Sequence, residues 1–176
     1  MEAHLEGALK EIESATAGMT EEQLQFHPAG KWSSAQVLEH LAITFELTAK
    51  GGARCLAAGK NLGTNPSLKQ NLFQFIVTTL KHFPEGRKSP ELVVPKDDVN
   101  GLATLSRIKA NLMEMDKKLG ECRDKLGASG KLVDHPVLGP LSNSQWCRFH
   151  YVHTRHHMKQ IKALRRMQSG NTASAV

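Results

Sequence analysis

The sequence predicts an all-α protein: a four-helix bundle with long connections and an additional short helical element. Three observations carry that prediction. Apolar residues recur at helical spacing through most of the chain. The Ser-x-x-Gln motif stands at the head of three such stretches, at Ser33, Ser67 and Ser142. In this capping box the serine accepts a bond from an otherwise orphaned N–H and the glutamine reaches back to the serine's own N–H. No two alternating segments joined by a turn signal read as a pair of strands.

The elements follow in order. A first helix is expected from Glu2 to about Ala17, with Leu5, Leu9 and Ile12 on one face. "MTEEQLQFHPAGKW" reads as a loop or short turn that closes at Pro28 and Gly30. The second helix runs from Ser34 to about Ala58 and stops at Gly59. The third runs from Leu68 to about His82, stopped by "FPEG". "RKSPELVVPKDDVNG" holds two prolines and reads as a long connection. The fourth helix starts after Asn100 and reaches about Leu126, before Gly127. "GASGKLVDHPVLGPL" is a second long loop, and the fifth helix ends near Gln168. One domain over residues 1–170 is expected, with a frayed tail at 171–176.

Bulk properties narrow the function classes. The chain has 176 residues, 40% of them apolar and 23% charged, which suits one folded domain. No apolar run approaches the ~18–20 residues of a membrane span. The N-terminus "MEAHLEGALKEIESA" is acidic and amphipathic, unlike a secretory signal, so the cytoplasm is the expected compartment. Cys55, Cys122 and Cys147 are odd in number and lack CxxC spacing, which argues against a disulfide scaffold or a zinc knuckle. The formal charge of +6 permits anionic partners. Its scatter, apart from "KALRR", gives a nucleic-acid partner little support, and a small-molecule substrate is the expected partner.

The informative segment is "RFHYVHTRHHMKQ", residues 148–160, with four of the chain's nine histidines. On a helical wheel Trp146, His150, His153, His157, Gln160, Ile161 and Leu164 form one stripe. Arg148, Arg155, Lys159, Lys162 and Arg166 lie opposite. The charged side must face water, so the histidine stripe faces the interior, where an unpaired polar group costs about 1–3 kcal/mol. His153 and His157, one turn apart, can converge on one metal ion. The intervening "TRH" contains no glutamate of the HExxH kind. His40, beside Val37, Leu41 and Thr44 on the second helix, is the candidate third ligand; the other reading is a hydrogen-bonded core histidine. His150 reads as pocket lining or as the third ligand instead. Gln160 reads as a group that orients a histidine or as a side chain in water, and Cys147 lies lateral to the stripe. Trp32, Trp146, Phe149 and Tyr151 are candidate pocket walls, with ordinary core packing the alternative.

The segments "KWSSAQVLEHLA" and "VHTRHHMKQI" resemble the two signatures of the DinB/YfiT-like superfamily. The "HPVLGPLSNSQWCRFHYVHTRHHMKQI" stretch resembles one uncharacterised branch of it more closely still. The resemblance implies a four-helix bundle that binds a divalent metal, zinc or nickel foremost, through His40, His153 and His157, with Gln160 at the family glutamine. It also implies a homodimer, and an activity among thiol-dependent S-transferases and isomerases that use a low-molecular-weight thiol. Many members carry Arg-Gly where this chain has Met158 and Lys159, which leaves the ligands in place but bears on the helix packing and on the substrate the resemblance implies. A metal-dependent hydrolase and a non-enzymatic metal- or ligand-binding bundle are the other expectations.

Overall fold

A computed structural model of the chain describes residues 1–83 and 89–173. Its framework is helical. Helix α1 (Ala3–Thr16) buries Leu5, Ala8, Ile12 and Ala15, the i, i+3, i+7, i+10 spacing of one helical face. Helix α3 (Ser34–Ala58) begins at the Ser33–Gln36 box and ends at Gly59, whose φ of 64° is the left-handed conformation that a Cβ would strain. Helix α5 (Gly101–Leu126) is capped by Asn100, whose side chain accepts from the Ala103 N–H at 2.8 Å. Helix α6 (Asn143–Ala173) follows the Ser142–Gln145 box: the Ser142 N–H donates to Gln145 Oε1 at 2.9 Å, and the Gln145 N–H to Ser142 Oγ at 3.4 Å. The third box, Ser67–Gln70, starts helix α4 (Leu68–Gln74).

Helix α3 lies along α5, and α1 along α6, while α3 also packs against α6. Leu38, Leu41 and Phe45 of α3, Leu112 and Met115 of α5, and Leu5 and Ile161 from the other pair lie in one apolar core. The α3–α5 approach is close because α3 carries glycine there: a Cβ on Gly52 would stand 3.3 Å from the Lys118 Cβ. None of the described helices is long and apolar enough to cross a membrane.

Four features depart from the sequence reading. First, "MTEEQLQFHPAGKW" contains helix α2 (Glu21–Gln25), started by a Thr20–Gln23 capping box of the same kind as the serine ones. Second, the helix from Leu68 passes into a π-helical turn, Phe75–Thr79, and ends there rather than near His82; "FPEG" lies largely outside the described residues. Third, the expected loop "GASGKLVDHPVLGPL" holds an antiparallel strand pair, β1 (Lys131–His135) and β2 (Gly139–Ser142), where no strands were expected. His135 Nδ1 accepts from the N–H groups of Val137 and Leu138, both at 3.1 Å, and Gly139 takes a φ of 70°, which closes the turn. Leu132 and Leu141 are buried, and the Leu62 N–H donates to the Leu132 carbonyl at 2.8 Å, so tertiary packing holds a pair that local pattern does not announce. Fourth, α6 continues past Gly170 to Ala173, into the expected tail. The last residues, 174–176, lie outside the described part.

Candidate metal centre

The capping boxes set the phase of two helices. Ser33 fixes α3 so that His40 falls two turns in, on the side that meets α6. Ser142 fixes α6 so that His153 and His157 face α3. The three imidazoles are 3%, 5% and 6% exposed, so all are buried against one another rather than projecting into water.

Their Nε2 atoms converge. His40 Nε2 lies 3.2 Å from His153 Nε2, which lies 2.9 Å from His157 Nε2. All three donor atoms fall within 4.8 Å of one another. Nitrogens on a tetrahedral ion with bonds of ~2.0–2.1 Å stand about 3.3 Å apart, close to the two shorter contacts here.

Hydrogen bonds at the far side of two rings fix what those Nε2 atoms carry. His40 Nδ1 lies 2.7 Å from the Val93 carbonyl oxygen, which can only accept, so Nδ1 holds the proton and Nε2 a lone pair. His157 Nδ1 donates in the same way to Gln160 Oε1 at 2.8 Å. The Gln160 amide nitrogen then reaches His156 Nε2 at 3.3 Å, so one exposed amide ties two adjacent histidines. His153 has no such partner: its Nδ1 is buried without a hydrogen bond. His153 can offer one proton at most to one neighbour. Three neutral rings with Nδ1–H on His40 and His157 therefore cannot make both short Nε2 contacts well-directed hydrogen bonds.

Burial keeps the cluster neutral. It holds His40 below the usual imidazole range, against the Val93 bond, which acts in the opposite direction. It holds His153 well below that range, aided by the neighbouring His157 and His40. Burial, with His40 beside it, takes His157 to about 3. Neutral imidazole is the form that binds metal, so at neutral pH no proton has to leave before an ion can enter. Together these features give a donor set of three buried, neutral, converging nitrogens that could hold a metal ion.

The remaining candidates sit around this set. His150 is fully buried but turns to α3 one level away, with Nε2 at 2.9 Å from Thr48 Oγ1; burial takes it to about 3. Trp146 stacks on His150 with ring centroids 5.7 Å apart. Gln160 bonds His157 directly. Cys147 lies near Asn143, and burial pushes its thiol up to about 12, the opposite of a ready thiolate ligand. Trp32 packs on His40 at 5.4 Å and Phe149 stacks on His153 at 5.2 Å, whereas Tyr151 lies against His4 on α1. Glu39, next to a ligand in sequence, turns to α5, where it accepts from Thr104 Oγ1 and Arg107.

Sequence reasoning missed two contributors. The Val93 carbonyl comes from a 3₁₀ turn, Glu91–Val93, in a segment read as a plain connection; a backbone acceptor leaves no signal in residue identity. Phe83, whose ring lies 5.1 Å from His153 and 4.9 Å from His156, follows the π turn, which periodicity does not foretell.

A family model described as a protein of unknown function, DUF1569, matches residues 3–163. No curated protein and no solved structure matches the chain.

Proposed function

The chain belongs to the DUF1569 family; from its three converging histidines and the resemblance of its two signature segments we propose a divalent-metal-dependent enzyme of the DinB/YfiT-like kind. In this reading α1, α3, α5 and α6 form its four-helix bundle, and the reaction transfers a low-molecular-weight thiol to an electrophilic substrate. The observation that carries the reading is the convergence of the His40, His153 and His157 Nε2 atoms with two of their outer nitrogens tied to oxygen.

A zinc or nickel ion bound there would supply a Lewis-acid position at which a thiol loses its proton near neutral pH. The protein's part is to hold three neutral donors in place. Val93 and Gln160 orient His40 and His157, and the aromatic rings of Trp32, Phe83 and Phe149 limit water. Balance is simple. A carbon–sulfur bond forms, the bond to the leaving group breaks, and the thiol's proton departs to solvent. Hydrolysis by water at the same position is the alternative reaction; Glu39, the carboxylate next to a ligand in sequence, is engaged with α5 and serves neither.

A second reading is a metal site that only stabilises the bundle, and the low exposure of all three ligands favours it. Against it, neither His150 nor Cys147 joins the donor group, whereas a purely structural zinc normally has four protein ligands.

The test is metal analysis of untagged protein, followed by rates with several thiols and chlorodinitrobenzene. About one equivalent of metal, and turnover that His153→Ala abolishes, supports the enzyme. Metal without turnover leaves the structural reading, and no uptake defeats both.

A further inference from the structure

A neutral imidazole carries one proton, and in a buried place it settles on the nitrogen that has an acceptor. His40 follows that rule at Nδ1, on the Val93 carbonyl. His150 follows it at the other nitrogen. Its Nε2 lies 2.9 Å from Thr48 Oγ1, and the Thr48 hydroxyl donates its own proton to the Thr44 carbonyl at 3.0 Å. Thr48 Oγ1 is therefore the acceptor. His150 is protonated at Nε2, with Nδ1 buried and unpartnered.

His153 has the surroundings of His150, not those of its fellow ligands. Its Nδ1 is also buried without a partner. A proton there would be a buried donor that nothing accepts, which disfavours that tautomer by roughly five- to 150-fold. Its Nε2, by contrast, faces two acceptors. His40 Nε2, at 3.2 Å, holds a lone pair because the Val93 carbonyl takes the Nδ1 proton. His157 Nε2, at 2.9 Å, holds one because Gln160 Oε1 takes the Nδ1 proton of that ring. The orphaned Nδ1 and the facing lone pairs separately put the His153 proton on Nε2. Packing holds the ring in place of an outer hydrogen bond: Phe149 stacks on it with the planes 14° apart.

Nε2 is also the nitrogen that joins the ligand set. We infer that His153 is a tautomeric switch: its proton stands on Nε2 until a metal ion binds, and binding shifts it to Nδ1. One proton leaves Nε2 and one arrives at Nδ1, so the ring stays neutral and no net proton is released. His40 and His157 need no such change, since their Nδ1 protons are already placed. After the shift the His153 Nδ1–H meets no acceptor, which makes His153 the least anchored of the three ligands. The second half of the switch rests on the proposed metal reading; the starting tautomer does not.

The experiment uses the full chain labelled with ¹⁵N-histidine at neutral pH. Two-bond proton–nitrogen correlation spectra, which distinguish the two tautomers of each ring, are recorded with EDTA and then with stoichiometric zinc. The His153 ring is assigned by its contact with Phe149 and by the loss of its signals in His153→Gln. With EDTA, His153 and His150 should show Nε2–H in at least fivefold excess, and His40 should show Nδ1–H. Zinc should move His153 alone to Nδ1–H, and His150, the internal control, should keep its tautomer. A His153 that is Nδ1–H or doubly protonated with EDTA overturns the inference. So does a His153 that keeps Nε2–H while His40 and His157 respond to zinc. No zinc response in any of the three rings defeats the metal reading and the switch with it, while the EDTA spectrum still decides the starting tautomer.

Discussion

Replacing His40 by leucine separates two demands on the centre, stability without metal and affinity for it. The buried Nε2 atoms converge at 3.2 and 2.9 Å, and three neutral rings cannot make both contacts well-directed hydrogen bonds. Leucine is close to histidine in volume and removes one of those nitrogens. It leaves only the Val93 carbonyl without its donor, on a half-buried residue. An unsatisfied buried polar group costs about 1–3 kcal/mol, so metal-free His40→Leu should equal the parent or exceed it by up to ~2 kcal/mol. With metal the order reverses. An ion present at about 1,000 times its dissociation constant stabilises the native state by about 4.1 kcal/mol. In a chain of this length each kcal/mol moves Tm by about 2–4 °C, so the parent should gain roughly 8–16 °C. The variant, with two histidines left, should gain less than about 4 °C. Thermal unfolding followed by far-ultraviolet circular dichroism, with EDTA and with excess zinc, measures both. An equal zinc-induced rise in the variant, or a variant unfolded in EDTA, would refute the reasoning.

Three further outcomes follow from the same contacts. Gln160→Leu removes the acceptor of His157 Nδ1; because Gln160 is exposed and water can take its place, zinc affinity measured against a chromophoric chelator should fall by about tenfold, the low end for such neighbours. Thr48→Val strips fully buried His150 of its one hydrogen bond and should destabilise by about 1–3 kcal/mol in urea unfolding, with zinc affinity unchanged. Stability should fall on acidification. His150 titrates near 3 when folded and near 6.5 when unfolded, so the unfolded chain takes up the proton first. The contribution of burial to stability is whole above pH ~6.5, about 1.4 kcal/mol smaller at pH ~5.5, and declines further toward pH ~3. A urea midpoint that stays flat across that window would contradict the neutral, buried state of His150.

Much of this arrangement is legible in residue identities because it rests on local rules. Ser33, Ser67 and Ser142 each begin a helix through the box their spacing announces. Thr20 begins one by the same rule and was readable in "TEEQ". The wheel puts His153 and His157 on the buried side because the arginines and lysines opposite cannot go inside. What was not legible depends on partners distant in sequence. The strand pair around His135 is held by Leu132, Leu141 and the Leu62 amide, with Pro136 and Pro140 obscuring any alternation. The π turn at Phe75–Thr79 and the Val93 carbonyl on His40 are backbone events. Wheels likewise place Trp146 and His150 on the ligand stripe, but only geometry shows Trp146 stacked on His150 and His150 bonded to Thr48, one level from the converging nitrogens.

The most direct test is X-ray absorption at the metal edge on untagged, zinc-loaded protein, beside the His153→Ala variant. The parent should show three imidazole nitrogens at ~2.0–2.1 Å with at least one light non-protein donor. The variant should show fewer imidazoles or no stoichiometric zinc. Failure of the parent to take up metal, or a shell with fewer than three imidazoles, would contradict the convergence of His40, His153 and His157 on one ion.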